Sequence, residues 1–256
     1  MAAATPKSDE PLPLEGPILF EESDFRALTP KLAGNPEFNA HRLAARRRLL
    51  ALGKRTAAAA EPLGLALECR TSLHNPHQFN GNRVQRLWAY LTRAKKAKSV
   101  LKKRLGSELG RDLDSSFRNA YLCLAIEPEA LEVSLRIHPD AWYDGQNLKN
   151  RVKKEGTKPW LTLLNTLSGF RLRLHDWKGE FHCGKLTPEK LEEFLKYYTP
   201  GDHQLAVERR YPAPEANRGA VFTPGCAEEL QRECLRLVPL YRFMAWSEES
   251  DFLFGG

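Results

Sequence analysis

The stretch from Ala120 to Ile137 constrains the fold more than any other part of this chain. Ala120 to Ile126 is an unbroken apolar run, and Glu127-Pro-Glu-Ala130 turns it into Leu131-Glu-Val-Ser-Leu-Arg-Ile137. In the second half Leu131, Val133, Leu135 and Ile137 alternate with polar residues. Successive side chains of a strand point to opposite faces, so this pattern predicts a β-hairpin with one face committed to a core.

Other segments fall into place around it. Leu65 to Leu73 alternates as a half-buried strand. Phe170 to His175 and Glu180 to Gly184 form a second hairpin turning at Asp176-Trp-Lys-Gly179, and Gln204 to Tyr211 reads as the last strand. Helices are predicted over Asp24–Leu32, Asn39–Ala60, Asp144–Lys154 and Pro159–Leu167. Thr187-Pro188 and Thr223-Pro224 each supply an N-cap followed by proline, opening helices to about Tyr198 and Leu237. Arg83 to Leu109 has two readings in its first half: Val84, Leu87, Trp88 and Leu91 fit helical spacing, and Leu87 to Thr92 also fits a strand. From Ala94 onward Ala97, Leu101 and Leu105 form a helical stripe that ends at Gly110.

Strands joined by short turns or single helices predict an α+β fold. We expect an antiparallel or mixed sheet of five to six strands with helices mainly on one face. The expected organisation is a flexible leader over 1–17, a single domain over 18–245 and an acidic, aromatic tail over 246–256. At 42% hydrophobic and 28% charged residues in 256, the composition is that of a folded domain. No apolar run reaches the ~18 residues of a membrane helix. The five cysteines are odd in number and widely spaced, which argues against a disulfide framework and for the reducing cytoplasm.

The charge is distributed unevenly. From Phe38 to Ser107 there are sixteen cations and two acids, a net of +14 in a chain whose total is +7. Clustered cations attract polyanions. The densest run carries Arg93, Lys95, Lys96, Lys98, Lys102, Lys103 and Arg104 within twelve residues and no acid. One reading is contact with a nucleic-acid backbone, which gives affinity without sequence preference; the other is a solvated face or a partner for acidic protein, the chain's own C-terminal tail included. On the polar side of the strands Arg70, Arg136, Arg171, Arg173 and His175 alternate with core positions and are expected to share an open sheet face. Arginine there suits bidentate phosphate recognition, with Trp142 and Tyr143 placed to stack on bases; cross-strand pairs with Glu68 and Glu132 are the plainer reading.

Several segments together resemble the YktB-like bacterial proteins, a conserved family of unknown function. They are Phe20-Glu-Glu-Ser-Asp24-Phe25, Leu52-Gly53, the loop Arg70 to Asn82 leading into Trp88-Ala-Tyr-Leu91, the hairpin Tyr121 to Ile137, and Pro239-Leu-Tyr-Arg242. The resemblance implies an α+β fold in which Leu87 to Thr92 is a strand, and it brings no catalytic residues.

Catalytic motifs are sparse. Asp140, Asp176 and Lys178 follow strands and mimic the carboxylates and lysine of metal-dependent nucleases, which makes a phosphodiesterase the enzymatic alternative. His74-Asn-Pro-His77 and the group His175, His182 and Cys183 lack a second pair spaced for zinc. Cys69, Cys123 and Cys183 fall in apolar runs, where a thiol is unreactive. No phosphate-binding glycine loop or nucleophile elbow is present, so no cofactor or metal is implied. The expected function is non-catalytic binding of nucleic acid through Arg93 to Arg104, and docking of an acidic protein is the remaining alternative.

Overall fold

A short helix, α1 (Glu22–Arg26), precedes the long α2 (Asn39–Ala60), and strands β1 (Leu67–Thr71) and β2 (Leu87–Arg93) lead directly into α3 (Lys95–Leu109). The central hairpin is β3 (Tyr121–Glu127) and β4 (Ala130–Ile137), followed by α4 (Trp142–Glu155) and α5 (Lys158–Asn165). The small hairpin β5 (Arg171–Leu174) and β6 (Phe181–His182) comes next, then α6 (Pro188–Tyr197) and β7 (Leu205–Pro212). Two helices, α7 (Cys226–Arg236) and α8 (Val238–Met244), complete the set. These elements belong to a computed structural model, which describes residues 16–175, 179, 181–213 and 225–254. The proposed leader lies outside the described residues up to residue 15, as do Asp176, Lys178 and the Thr223-Pro224 cap.

All the strands join one antiparallel sheet in the order β1-β2-β3-β4-β7-β5-β6. The fold is therefore α+β as expected, with seven strands among the described residues rather than five or six. The additional strand is Leu87–Arg93, whose two sequence readings resolve to β. Ladder partners on both sides, β1 and β3, favour the extended form, and Leu87, Ala89 and Leu91 then all reach the core. Strand β7 enters between β4 and β5, so those two strands run the same way and α4 and α5 form the crossover between them.

One sheet face carries the main core: Leu122, Leu124 and Ile126 of β3 pack with Leu131, Val133 and Leu135 of β4 and with α2 and α7. Helix α2 approaches β1 and β2 so closely at Gly53 that a Cβ there would collide with the Cys69 thiol. Helix α1 stops at Arg26, short of the expected Leu32, because Pro30 disfavours helical backbone at Thr29. Helix α8 is unforeseen: the last expected helix ends near Leu237, yet Pro239 occupies the first turn of a new helix, where proline is well suited.

Arginine 42 shows how α2 uses its charge. It is fully buried, and its guanidinium donates to the carbonyls of Ala27, Leu32, Asn35 and His74 and to Asn39 Oδ1, at 2.6–3.1 Å. It thereby ties the loop after α1 to the loop after β1. Each buried acceptor left without its donor costs ~1–3 kcal/mol, so Arg42→Met is expected to lower the unfolding free energy by roughly 3 kcal/mol or more. Urea denaturation followed by circular dichroism checks this.

Candidate nucleic-acid interface

The register across the sheet places the polar residues of the second face in rows. Arg70, Tyr90, Cys123, Ser134, Glu208, Arg171 and His182 are successive Cα partners from one edge of the sheet to the other. The neighbouring row on the same face runs Glu68, Thr92, Tyr121, Arg136, Ala206 and Arg173. The expected sharing of one face by Arg70, Arg136, Arg171 and Arg173 is thus what the backbone delivers.

Their chemistry is different from the expected one. Arg136 donates to Glu132 at 2.7 Å and to Glu208 at 2.9 Å, and Arg173 pairs with Glu208 at 2.7 Å. Arg86 bridges Glu127 and Glu132, and Arg210 also pairs with Glu127. Arg70 lies 3.8 Å from both Glu68 and Asp114. A guanidinium already matched to carboxylates does not offer its fork to a phosphate without breaking those pairs. Arg136 and Arg173 are cross-strand ion-pair members, and this network withdraws them from the interface. Burial opposes ionisation of Glu132, but Arg136, Arg86 and the Ser134 hydroxyl outweigh it and hold its carboxyl at about 2.

Trp142 is also displaced from its expected role. It opens α4, meets Tyr143 edge-on and packs against the small cluster of Leu101, Leu105, Leu113 and Trp246 between α3, α4 and the C-terminal segment. The aromatics that do lie on the second sheet face are Trp88, Tyr90 and Tyr121, with Phe117 packed edge-on against Trp88 and Tyr121. Sequence reasoning missed them because they become one face only when Leu87–Arg93 is a strand.

The basic run divides by the geometry of α3. Arg93, at the end of β2, is buried and donates through Nη2 to Asp144 at 2.5 Å. Lys98 is buried against Glu68. Neither reaches a ligand on the outer surface of the helix. Lys95, Lys96, Lys102, Lys103 and Arg104 are exposed, and among the described residues none of the five forms an ion pair. Lys95 and Lys102, two turns apart, border a groove of about 500 Å³ whose far bank is the segment Gly110–Asp114. All five cations precede Gly106, whose φ of 82° breaks the helix.

Elsewhere much of the cationic quarter is used internally, although Lys54 and Arg83 are exposed. Arg48 pairs with Asp24 and Glu21, Arg46 donates to the Ser72 carbonyl and Arg55 to that of Gly16. The C-terminal segment folds back along α4: Phe252 N donates to Asn147 Oδ1 and Asn150 Nδ2 to the Phe252 carbonyl, each at 2.8 Å. Its Glu248 and Glu249 lie on the walls of a cleft that Lys96 also lines.

Asp140 is exposed, and its intended partners Asp176 and Lys178 are outside the described residues. Among the described residues no group of three His, Cys, Asp or Glu is arranged to hold a metal. His77 accepts a hydrogen bond from Phe79 N. All five cysteines are free, and burial pushes the Cys69 and Cys183 thiols up to about 12. No helix among the described residues is long and apolar enough to cross a membrane. No protein-family model matches the chain, and no curated protein matches it; the YktB-like resemblance rests on the residues quoted for it.

The Glu132 network predicts an acid limb. With a folded pKa below the ordinary 4.5, Glu132 contributes its full stabilisation above about pH 4.5, and the contribution is lost as pH falls toward 2. The contribution is on the order of 3 kcal/mol. Denaturant unfolding at pH 7 and pH 3 should show Glu132→Gln less stable at pH 7 and closer to the unsubstituted protein at pH 3.

Proposed function

We propose that this chain binds a nucleic-acid backbone, without catalysis, through the exposed side of α3. The observation that carries the reading is the set of five solvent-facing cations, Lys95, Lys96, Lys102, Lys103 and Arg104, with no carboxylate partner among the described residues. Much of the rest of the basic quarter is engaged inside the fold, Lys54 and Arg83 being exposed exceptions, and this helix is where exposed, unpaired cations are densest.

The spacing supports it. A helix rises 1.5 Å per residue, so Lys95 and Lys102 lie ~10 Å apart along the axis, the rise of about three nucleotides of one strand. Phosphate contacts of this kind position a strand and read no bases. The aromatic and ion-paired sheet face lies beyond Lys98, Glu68 and Arg70, which link α3 to the β1 edge.

Each phosphate neutralised adds about −0.7 to −0.9 to the slope of log affinity against log salt, so five contacts give a slope of about −3.5 to −4.5. Fluorescence anisotropy with a labelled 20-nucleotide RNA and a DNA of mixed sequence measures it. The triple variant Lys102→Glu, Lys103→Glu, Arg104→Glu is expected to abolish measurable binding at 0.15 M salt while keeping the circular dichroism of the folded protein. Unchanged affinity in that variant rejects the reading. Nuclease-resistant capture of an acidic protein would instead point to a protein-docking role for the same helix.

A further inference from the structure

Helix α3 starts in a way that an isolated helix would not tolerate well. Its N-cap is Ala94, in extended geometry at φ −65° and ψ 159°, with no side-chain acceptor to offer, and its first turn holds Lys95 and Lys96 and no acid. The first N–H groups of a helix have no partner one turn back, and the positive end of the macrodipole falls on them. Cations there add repulsion. Helix α6 shows the ordinary remedy, with Thr187 accepting from Lys190 N and Glu189 in the first turn. What α3 lacks at this end is negative charge.

The end of the helix opens into a cleft and not onto a flat surface. Ala94, Lys96 and Ala97 line a cleft of about 880 Å³, walled on the opposite side by α8 and the segment from Ala245 to Ser250. The same walls hold a second, independent observation: buried donors left without an acceptor. The Arg93 side chain is 5% exposed; its Nη2 serves Asp144, and its Nη1, near the Tyr241 hydroxyl, is buried without a well-aligned hydrogen-bond acceptor among the described residues. Trp246, 4% exposed, leaves its indole Nε1 unpartnered as well. Both residues line the cleft. Buried donors are seldom left without an acceptor. Arg242 adds positive charge to the walls, and Arg151 is matched to Glu155 at 2.9 Å; Glu248 and Glu249 oppose that charge, and Glu249 is held below the usual carboxylate range by its own backbone N–H, the Ser247 hydroxyl and Arg242. Leu65, Val100, Leu163 and Phe243 give the lining its apolar part, and Tyr241, Ser247 and Ser250 add hydroxyls.

We propose that this cleft binds a small organic phosphate, with the oxyanion at the N-terminus of α3 beside Arg93 and an apolar or aromatic body against Val100, Phe243 and Trp246. A tetrahedral phosphate offers three terminal oxygens to donors converging from several directions, where a carboxylate offers two. The site shares Lys96 with the nucleic-acid surface, whose Lys102, Lys103 and Arg104 lie further along the helix and outside the cleft.

The test is calorimetry and thermal unfolding of the full chain with phenyl phosphate, inorganic phosphate, benzoate and phenol. Phenyl phosphate should bind saturably and raise the melting temperature. Inorganic phosphate and benzoate should each bind at least about tenfold more weakly, and phenol not at all. Ala94→Asp places a carboxylate where the anion is expected. It should raise the melting temperature of the ligand-free protein and weaken phenyl phosphate at least about tenfold, while RNA binding through Lys102, Lys103 and Arg104 persists. Lys96→Glu should weaken phenyl phosphate in the same direction and serves if Ala94→Asp does not fold. No binding of phenyl phosphate at millimolar concentration, or equal binding by the variants, overturns the site; benzoate binding as tightly overturns its assignment to phosphate.

Discussion

Asp144 is the point on which the molecule is assembled. Its carboxylate is fully buried, and three distant parts of the chain converge on it. Oδ1 accepts from Arg93 Nη2 at 2.5 Å and from Trp246 N at 2.8 Å, and Oδ2 accepts from Ala120 N at 2.7 Å. The end of β2, the start of β3, the first turn of α4 and the C-terminal segment are thus fixed to one residue. A buried charge is tolerated only when it is paired and hydrogen-bonded, so these partners must be in place together. The same arrangement commits Arg93 to the interior and sets the position of α3, which begins two residues later. Both the exposed cationic side of that helix and the cleft at its start are consequences of where Asp144 holds the chain.

The charge economy of the fold follows a similar logic. A run of arginines on α2 looks like a surface feature, yet Arg42 holds backbone carbonyls together and Arg48 closes on Asp24 and Glu21. On the second sheet face Glu132 and Glu208 each gather more than one arginine. Net charge counted along a chain records none of this, because most of the neutralising carboxylates come from other elements of the fold. The unmatched charge of the basic quarter is densest on the exposed side of α3.

Much of the fold was legible. The alternation in Leu131–Ile137 and the apolar run before it fixed the hairpin at the middle of the sheet. The Thr187-Pro188 signal marks the start of α6, and α2 runs from Asn39 to Ala60 as its pattern indicates. These are local signals, carried by period, caps and breakers, and they act within a few residues. Leu87–Arg93 was ambiguous because its residues satisfy both periods, and only β1 and β3 on either side decide the matter. The candidate site was legible in part. The sequence marked α3 as basic, but it did not separate Lys98, buried against Glu68, from Lys102, which faces solvent, and it gave no sign of the cleft between α3 and α8.

By itself the sequence determined most of the segments that extend or coil, Leu87–Arg93 and α8 excepted, and that cations crowd the second quarter of the chain, since each of these depends on neighbours in order. The tertiary structure alone decided which cations are free, which aromatics share a face and where a helix end is left without an acceptor. Those outcomes depend on pairs such as Arg93 with Asp144 and Arg136 with Glu208, whose members are 51 and 72 residues apart. Electrostatic and hydrogen-bond matching acts over a few ångströms of space, and only the folded chain brings such partners within that range.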